Sequence, residues 1–146
     1  MSNKAIAIAT FCDDVRSERG NKYSVMGCYG PEMIVDNFPM VFARLCAMVV
    51  VAIPLDLQVE NLFLRATLNN DLLAELPMSN ISSVLADANK NSRDGRTKLD
   101  LRAFMTFSPL LLTEESDISI KACFNEEHVH AGTLHIRQRK DGDPQF

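Results

Sequence analysis

"AIAIATFCDDVRSERGNKYSVMGCYG", residues 5–30, decides how the rest of the chain is read. "AIAIATF" alternates along its length, and "KYSVMGCY" alternates again after a polar stretch, "SERGNK", whose Gly20 and Asn21 tolerate positive φ. Two segments of period two around a tight polar turn predict an antiparallel hairpin. On such a strand Asp14 and Arg16 share a face and are placed to pair. Asp13 and Asp14 point to opposite sides, which argues against a two-carboxylate catalytic centre. Asp14, Arg16, Gly20 and Gly27 are therefore read as structural hairpin residues, with Gly27 allowing close backbone approach.

The pattern recurs outward from there. "MVVVAI", "NLFLRATL", "TKLDLRAFMTF", "DISIKACF" and "TLHIRQR" read as further strands, mostly separated by Gly, Asn, Asp or other polar punctuation. Only "SNISSVLADANK" has helical spacing, through Ile81, Val84, Leu85 and Ala88 with Ser79 as N-cap; an irregular crossover is the alternative. Seven or eight strands without a strand-helix-strand repeat predict an all-β fold: a single antiparallel two-sheet sandwich, immunoglobulin-like or C2-like, with at most one short helix. The chain has no tryptophan, so an antibody-type domain with its Cys…Trp…Cys spacing is not indicated. Residues 1–136 are expected to form the domain and residues 137–146, "RQRKDGDPQF", a polar tail that frays unless contacts pin it.

Composition bounds the function. A chain of 146 residues that is 47% hydrophobic can bury one core but is short for two ordinary domains. Fifteen basic against 19 acidic side chains give a net charge of −4, so nucleic acid is not the expected partner. The longest apolar run, "LCAMVVVAIPL", is about half the ~20 residues that a membrane-spanning helix needs. It reads as a buried strand, and no membrane association is expected. Cys12, Cys28, Cys46 and Cys123 are scattered through strand-like segments without a CxxC pair. Reduced thiols and a cytoplasmic location are the expectation, with a Cys12–Cys28 bridge across the hairpin as the alternative.

The order of the first hairpin, "FP" at Phe38-Pro39, a buried strand, "LRATLNNDLLAELP" and a terminal hairpin resembles a small uncharacterised β-sandwich family of bacterial and phage proteins. The resemblance is carried mainly by the N-terminal hairpin, with its acidic-arginine segment, Gly-Lys turn and Ser-x-x-Gly strand. It implies a β-sandwich and a bacterial or phage setting, and it transfers no functional residue. The polar insertion from Ala88 to Lys98 departs from the family pattern.

Two further features carry chemistry. In "FNEEHVHAGTLHI", Asn125, Glu126 and Glu127 read as a hairpin tip, and His128 and His130 share one strand face. Leu134 and Ile136 require the opposite parity from Val129 and Ala131, so a bulge at Gly132 is expected, which brings His135 to the same outer face. His128, His130 and His135 are thus candidate metal ligands; solvent-facing polar positions or a pH-sensitive interface are the competing reading. In "ANKNSRDGRTKLDLR", Lys90, Arg93, Arg96 and Lys98 form a candidate partner- or phosphate-binding loop, although no Gly-rich phosphate cradle or interleaved aromatic accompanies them.

No cofactor-binding motif, GxSxG elbow or local cysteine-nucleophile signature occurs, and no catalytic residue or cofactor is assigned. The expected function is a non-enzymatic protein-binding or self-assembling module, a homo-oligomer or part of a larger assembly. A phage accessory or virion-associated protein and a host-protein inhibitor both fit it. The alternative is a small metal-assisted hydrolase or nucleotide-binding protein, which requires Asp14, Arg16, the arginine loop and the histidines to converge on one pocket.

Overall fold

The computed structural model describes residues 4–90, 95 and 97–144. Their order is β1 (Ile6–Glu18), β2 (Lys22–Cys28), β3 (Glu32–Val35), β4 (Met40–Phe42), β5 (Leu45–Pro54), β6 (Phe63–Leu68), β7 (Asp71–Pro77), α1 (Ile81–Lys90), β8 (Lys98–Phe107), β9 (Leu110–Leu112), β10 (Ser116–Phe124) and β11 (Glu127–Gln138). The chain is mostly β with one short helix. The eleven strands among the described residues exceed the seven or eight expected, because β3, β4, β7 and β9 carry no extended alternation.

Strand β5 shows why the sheets form. Leu45, Ala47, Val49, Val51 and Ile53 are fully buried, while the alternate residues Met48, Val50 and Ala52 are half-buried on the other face. β5 pairs antiparallel with β1 on one side and β8 on the other, and β2 completes a four-stranded sheet in the order β2-β1-β5-β8. A second sheet has the order β3-β11-β10-β6-β7 and buries Leu64, Ala66, Ile118, Ile120, Ala122, Leu134 and Ile136. Side chains from both sheets belong to one hydrophobic cluster, which also receives Ile81 and Leu85 from α1. Each large aliphatic side chain so buried contributes about 1.5–3 kcal/mol.

The ladders are antiparallel except for one. β3 runs parallel to the end of β11, with Glu32 opposite His135 and Val35 opposite Gln138, which corrects the expectation of a wholly antiparallel fold. The cause lies in the C-terminal segment. Arg139 N–H donates to the Val35 carbonyl at 2.8 Å, Arg137 pairs with Glu32 at 3.2 Å and Arg139 with Asp36 at 2.9 Å.

Further contacts engage the same segment as far as Pro144. β11 continues to Gln138, and the two Nη atoms of Arg137 donate to the two carboxylate oxygens of Asp143, each at 2.9 Å. Lys140 N–H also donates to Asp143, so residues 137–144 fold back on β11. The arginine's hydrogen bonds hold the Asp143 carboxyl well below the usual carboxylate range.

Tight turns set the registers. Asn69-Asn70 and Asn125-Glu126 all have positive φ, the geometry of two-residue primed turns, and they join β6 to β7 and β10 to β11. The short strands β4 and β9 pair only with each other and follow cis peptide bonds at Phe38-Pro39 and Ser108-Pro109. Helix α1 begins after Asn80, whose carbonyl accepts from Val84 N–H at 3.1 Å. The N-cap is thus Asn80, at positive φ, and Ser79 lies one residue outside. Val84 faces solvent, and the helix continues through Lys90 into what reads from composition as loop.

Two places shape the first hairpin and its surroundings. At Gly132 an added Cβ would lie 3.3 Å from the Ala9 carbonyl oxygen, so glycine lets β11 approach β1. The hairpin arm itself reaches across the sheet: the Tyr23 ring packs at a 52° tilt against Phe104 of β8, 4.5 Å between centroids, although β1 and β5 lie between their strands. Arg102 lies over the same Tyr23 ring at 5.3 Å.

Candidate functional site

Asp14 and Arg16 face one side of β1, with Arg16 Nε 3.5 Å from the carboxylate. A residue that periodicity did not single out, Arg44, binds the same carboxylate more closely, at 3.2 Å, and its Nε donates to Cys46 Sγ at 3.4 Å. Asp13 points elsewhere and accepts a hydrogen bond from Tyr29 Oη at 2.5 Å. Burial, and then this bond to a carboxylate, push the Tyr29 phenol above its ordinary range.

Gly27 explains the separation of the two acids. Its φ is +65°, and a Cβ there would overlap the Asp13 carboxylate. Gly20, at φ +86°, lies in the β1–β2 turn.

Cys12 sits opposite Cys28 on one side and Cys46 on the other, a cross-strand row of thiols. Cys12 and Cys46 are buried, Cys28 is exposed, and all are free thiols. Burial first, then the neighbouring thiols and acids, push the Cys12 thiol up to about 11.

The outer face of this sheet carries an apolar band. Ile6 is opposite Ala52 and Ile8 opposite Val50, yet Ile6 is 50% and Ile8 61% exposed. Asp100 and Arg102 of β8 flank the band in register with Ala52 and Val50. A second exposed apolar pair, Val41 and Leu111, lies directly opposite across β4 and β9, at 61% and 58% exposure.

The five-stranded sheet holds all three histidines on one face. The ladder slips between Ile120 and Lys121, leaving Ala131 as the extra residue beside Gly132, so His128, His130 and His135 lie opposite Cys123, Lys121 and Asp117. Each imidazole has its own partner rather than a shared centre. His128 Nδ1 lies 3.1 Å from Cys123 Sγ, His130 Nε2 lies 2.9 Å from Thr133 Oγ1, and His135 Nδ1 meets Asp117. Among the described residues no three His, Cys, Asp or Glu side chains gather closely enough to hold a metal ion.

Pairing register exposes a row that the sequence pattern did not. Glu75, Arg65, Lys121 and His130 stand opposite one another across β7, β6, β10 and β11. Arg65 Nε donates to Glu75 at 2.9 Å, and its guanidinium lies 5.3 Å from the Phe63 ring centroid. The signal was alternation itself, since "NLFLRATL" and "DISIKACF" each set one cation on the polar side of an otherwise apolar strand.

Among the described residues, those of the alternative enzyme reading sit on different sheets. Asp14 and Arg16 belong to the four-stranded sheet and the histidines to the five-stranded one. Lys90 ends α1 and Lys98 begins β8, both exposed, while Arg93 and Arg96 lie outside the described residues.

No protein-family model matches the chain, and no curated protein matches its sequence. Among the described residues no helix is long and apolar enough to cross a membrane.

Proposed function

We propose that this protein is a non-enzymatic binding module that self-associates, built as an immunoglobulin-like or C2-like sandwich of the four- and five-stranded sheets. The alternating burial of β5 and the single cluster fed by both sheets support that arrangement. One observation carries the functional reading: the band of Ile6, Ile8, Val50 and Ala52 on the outer face of the four-stranded sheet. Solvated antiparallel sheets place polar side chains on that face, and a contiguous apolar patch there marks an interaction surface.

The flanking charges favour a second copy of this chain as the occupant. Asp100 and Arg102 lie two residues apart on the same face of β8, so a two-fold-related copy sets each against the other's opposite charge. An apolar centre with a charged rim is the usual anatomy of a stable interface. The resemblance through the N-terminal hairpin supports a bacterial or phage cytoplasmic setting, in which the oligomer serves as an accessory or virion-associated component.

Light scattering on the purified protein, with and without chelator, tests the reading. A defined oligomer that ignores chelator and dissociates in Ile8→Glu supports it. A monomer, or an oligomer unchanged in Ile8→Glu, overturns the assignment of this face.

A further inference from the structure

We propose that the outer face of the five-stranded sheet binds a phosphate monoester in an open cleft between Arg65, Lys121 and His128. This goes beyond self-association and uses the other sheet.

The cleft has a volume of about 380 Å³ and is lined by Leu72 and by the polar side chains of Arg65, Thr67, Asn70, Glu75, Lys121 and His128. Arg65 and Lys121 stand directly opposite on β6 and β10, with His130 beyond Lys121. Like charges facing across a ladder are unfavourable, so the row costs stability in the absence of an anion. Glu75 offsets only one end, and it engages Arg65 through Nε alone. A guanidinium has five N–H donors, which leaves four for a ligand. Among the described residues Lys121 makes no ion pair.

A neighbouring thiol orients the imidazole. Cys123 Sγ lies 3.1 Å from His128 Nδ1 and occupies that nitrogen. This leaves the outer nitrogen, Nε2, for a ligand. Thr67 contributes a hydroxyl, and Asn70, held at φ +72° in the β6–β7 turn, contributes an amide. Arg65, Lys121 and His128 supply three donor groups, which match the three terminal oxygens of a phosphate monoester better than the two of a carboxylate.

The test is titration of the intact protein with inorganic phosphate, O-phospho-L-serine and a nucleoside monophosphate, at ionic strength matched with chloride. Calorimetry gives affinity, and amide chemical shifts give location. Saturable binding with shifts centred on Arg65, Lys121 and His128 is expected. Equal affinity for the three means that phosphate alone is read; tighter binding of one identifies the ester carried.

Lys121→Met, which keeps the side-chain stem, weakens binding about tenfold to a hundredfold, the loss of one charge-assisted hydrogen bond. Arg65→Lys, which keeps charge but not the fork, loses less. Absence of saturable binding, shifts confined to another face, acetate binding as tightly as phosphate, or an unchanged affinity in folded Lys121→Met each overturns the proposal.

Discussion

Replacing Gly27 with alanine tests the account of the first hairpin most directly. Two separate penalties attach to the added methyl group. The first is conformational: at φ +65° an L-residue pays about 1–2 kcal/mol relative to its preferred regions. The second is contact with Asp13, whose Cγ would lie 2.8 Å from the new Cβ. The carboxylate has room to turn away, but it then gives up the hydrogen bond from Tyr29 Oη. A hydrogen bond to a charged group contributes about 1.5–3 kcal/mol, reduced to about 1 kcal/mol here because Asp13 is exposed. Gly27→Ala should therefore cost about 2–3 kcal/mol in urea unfolding, with the midpoint lowered and the slope unchanged. In an Asp13→Ala background the same substitution should cost only the backbone share, about 1–2 kcal/mol, and the cycle should report a coupling of about 1 kcal/mol. Equal costs in both backgrounds, or a cost below about 0.5 kcal/mol, would refute the reasoning.

Other substitutions follow from burial and charge. Leu64→Ala empties a fully buried position of β6 and should cost about 2–5 kcal/mol by thermal or denaturant unfolding, whereas Leu72→Ala, at an exposed position of β7, should stay within about 0.5 kcal/mol. Native protein should react with a thiol reagent first at Cys28, and mass spectrometry of the labelled peptides should find Cys12, Cys46 and Cys123 protected until denaturant is added. The Cys12 thiol rises from 9.0 in the unfolded chain to about 11 when folded, so its contribution is complete below pH 9 and is lost as pH climbs through 11. The loss amounts to about 2–3 kcal/mol, and Cys12→Ala should flatten this part of the alkaline stability curve. The Asp143 carboxyl is shifted the other way, so its clasp on Arg137 is complete above the ordinary carboxylate pKa of about 4 and is released only in stronger acid. Asp143→Asn should speed amide exchange at Arg139 and Lys140 at neutral pH, and unchanged exchange would show that the clasp does not order the tail.

The strands that were legible in the sequence are those whose two faces meet different solvents over seven residues or more, as in β1, β8 and β10, and β6 although it is shorter. Alternation is weak evidence over three or four residues, so β3, β4 and β9 left no mark. β7 escaped for another reason: its ladder with β6 slips between Ala66 and Thr67, and the adjacent Leu72 and Leu73 break the period. The parallel placement of β3 depends on contacts with residues about a hundred positions later, which no local pattern encodes. The site was legible in composition but not in arrangement. The histidine spacing put three rings on one face, yet their separate partners Cys123, Thr133 and Asp117 emerge only from the register. Arg65 and Lys121 lie in separate strands of the sequence and become neighbours only through pairing.

The parallel seam between β3 and β11 also orders events during synthesis. The β1–β2 hairpin and the β6–β7 hairpin close through near neighbours and are complete while the chain is still emerging. Glu32 and Asp36 instead wait for Arg137 and Arg139, so about a hundred further residues must emerge before β3 has a partner. Until then β3 is an unpaired edge, and His135–Gln138 are the residues that pair with it. Truncation before His135 would leave the β1–β2 and β6–β7 hairpins intact and this edge open to other chains.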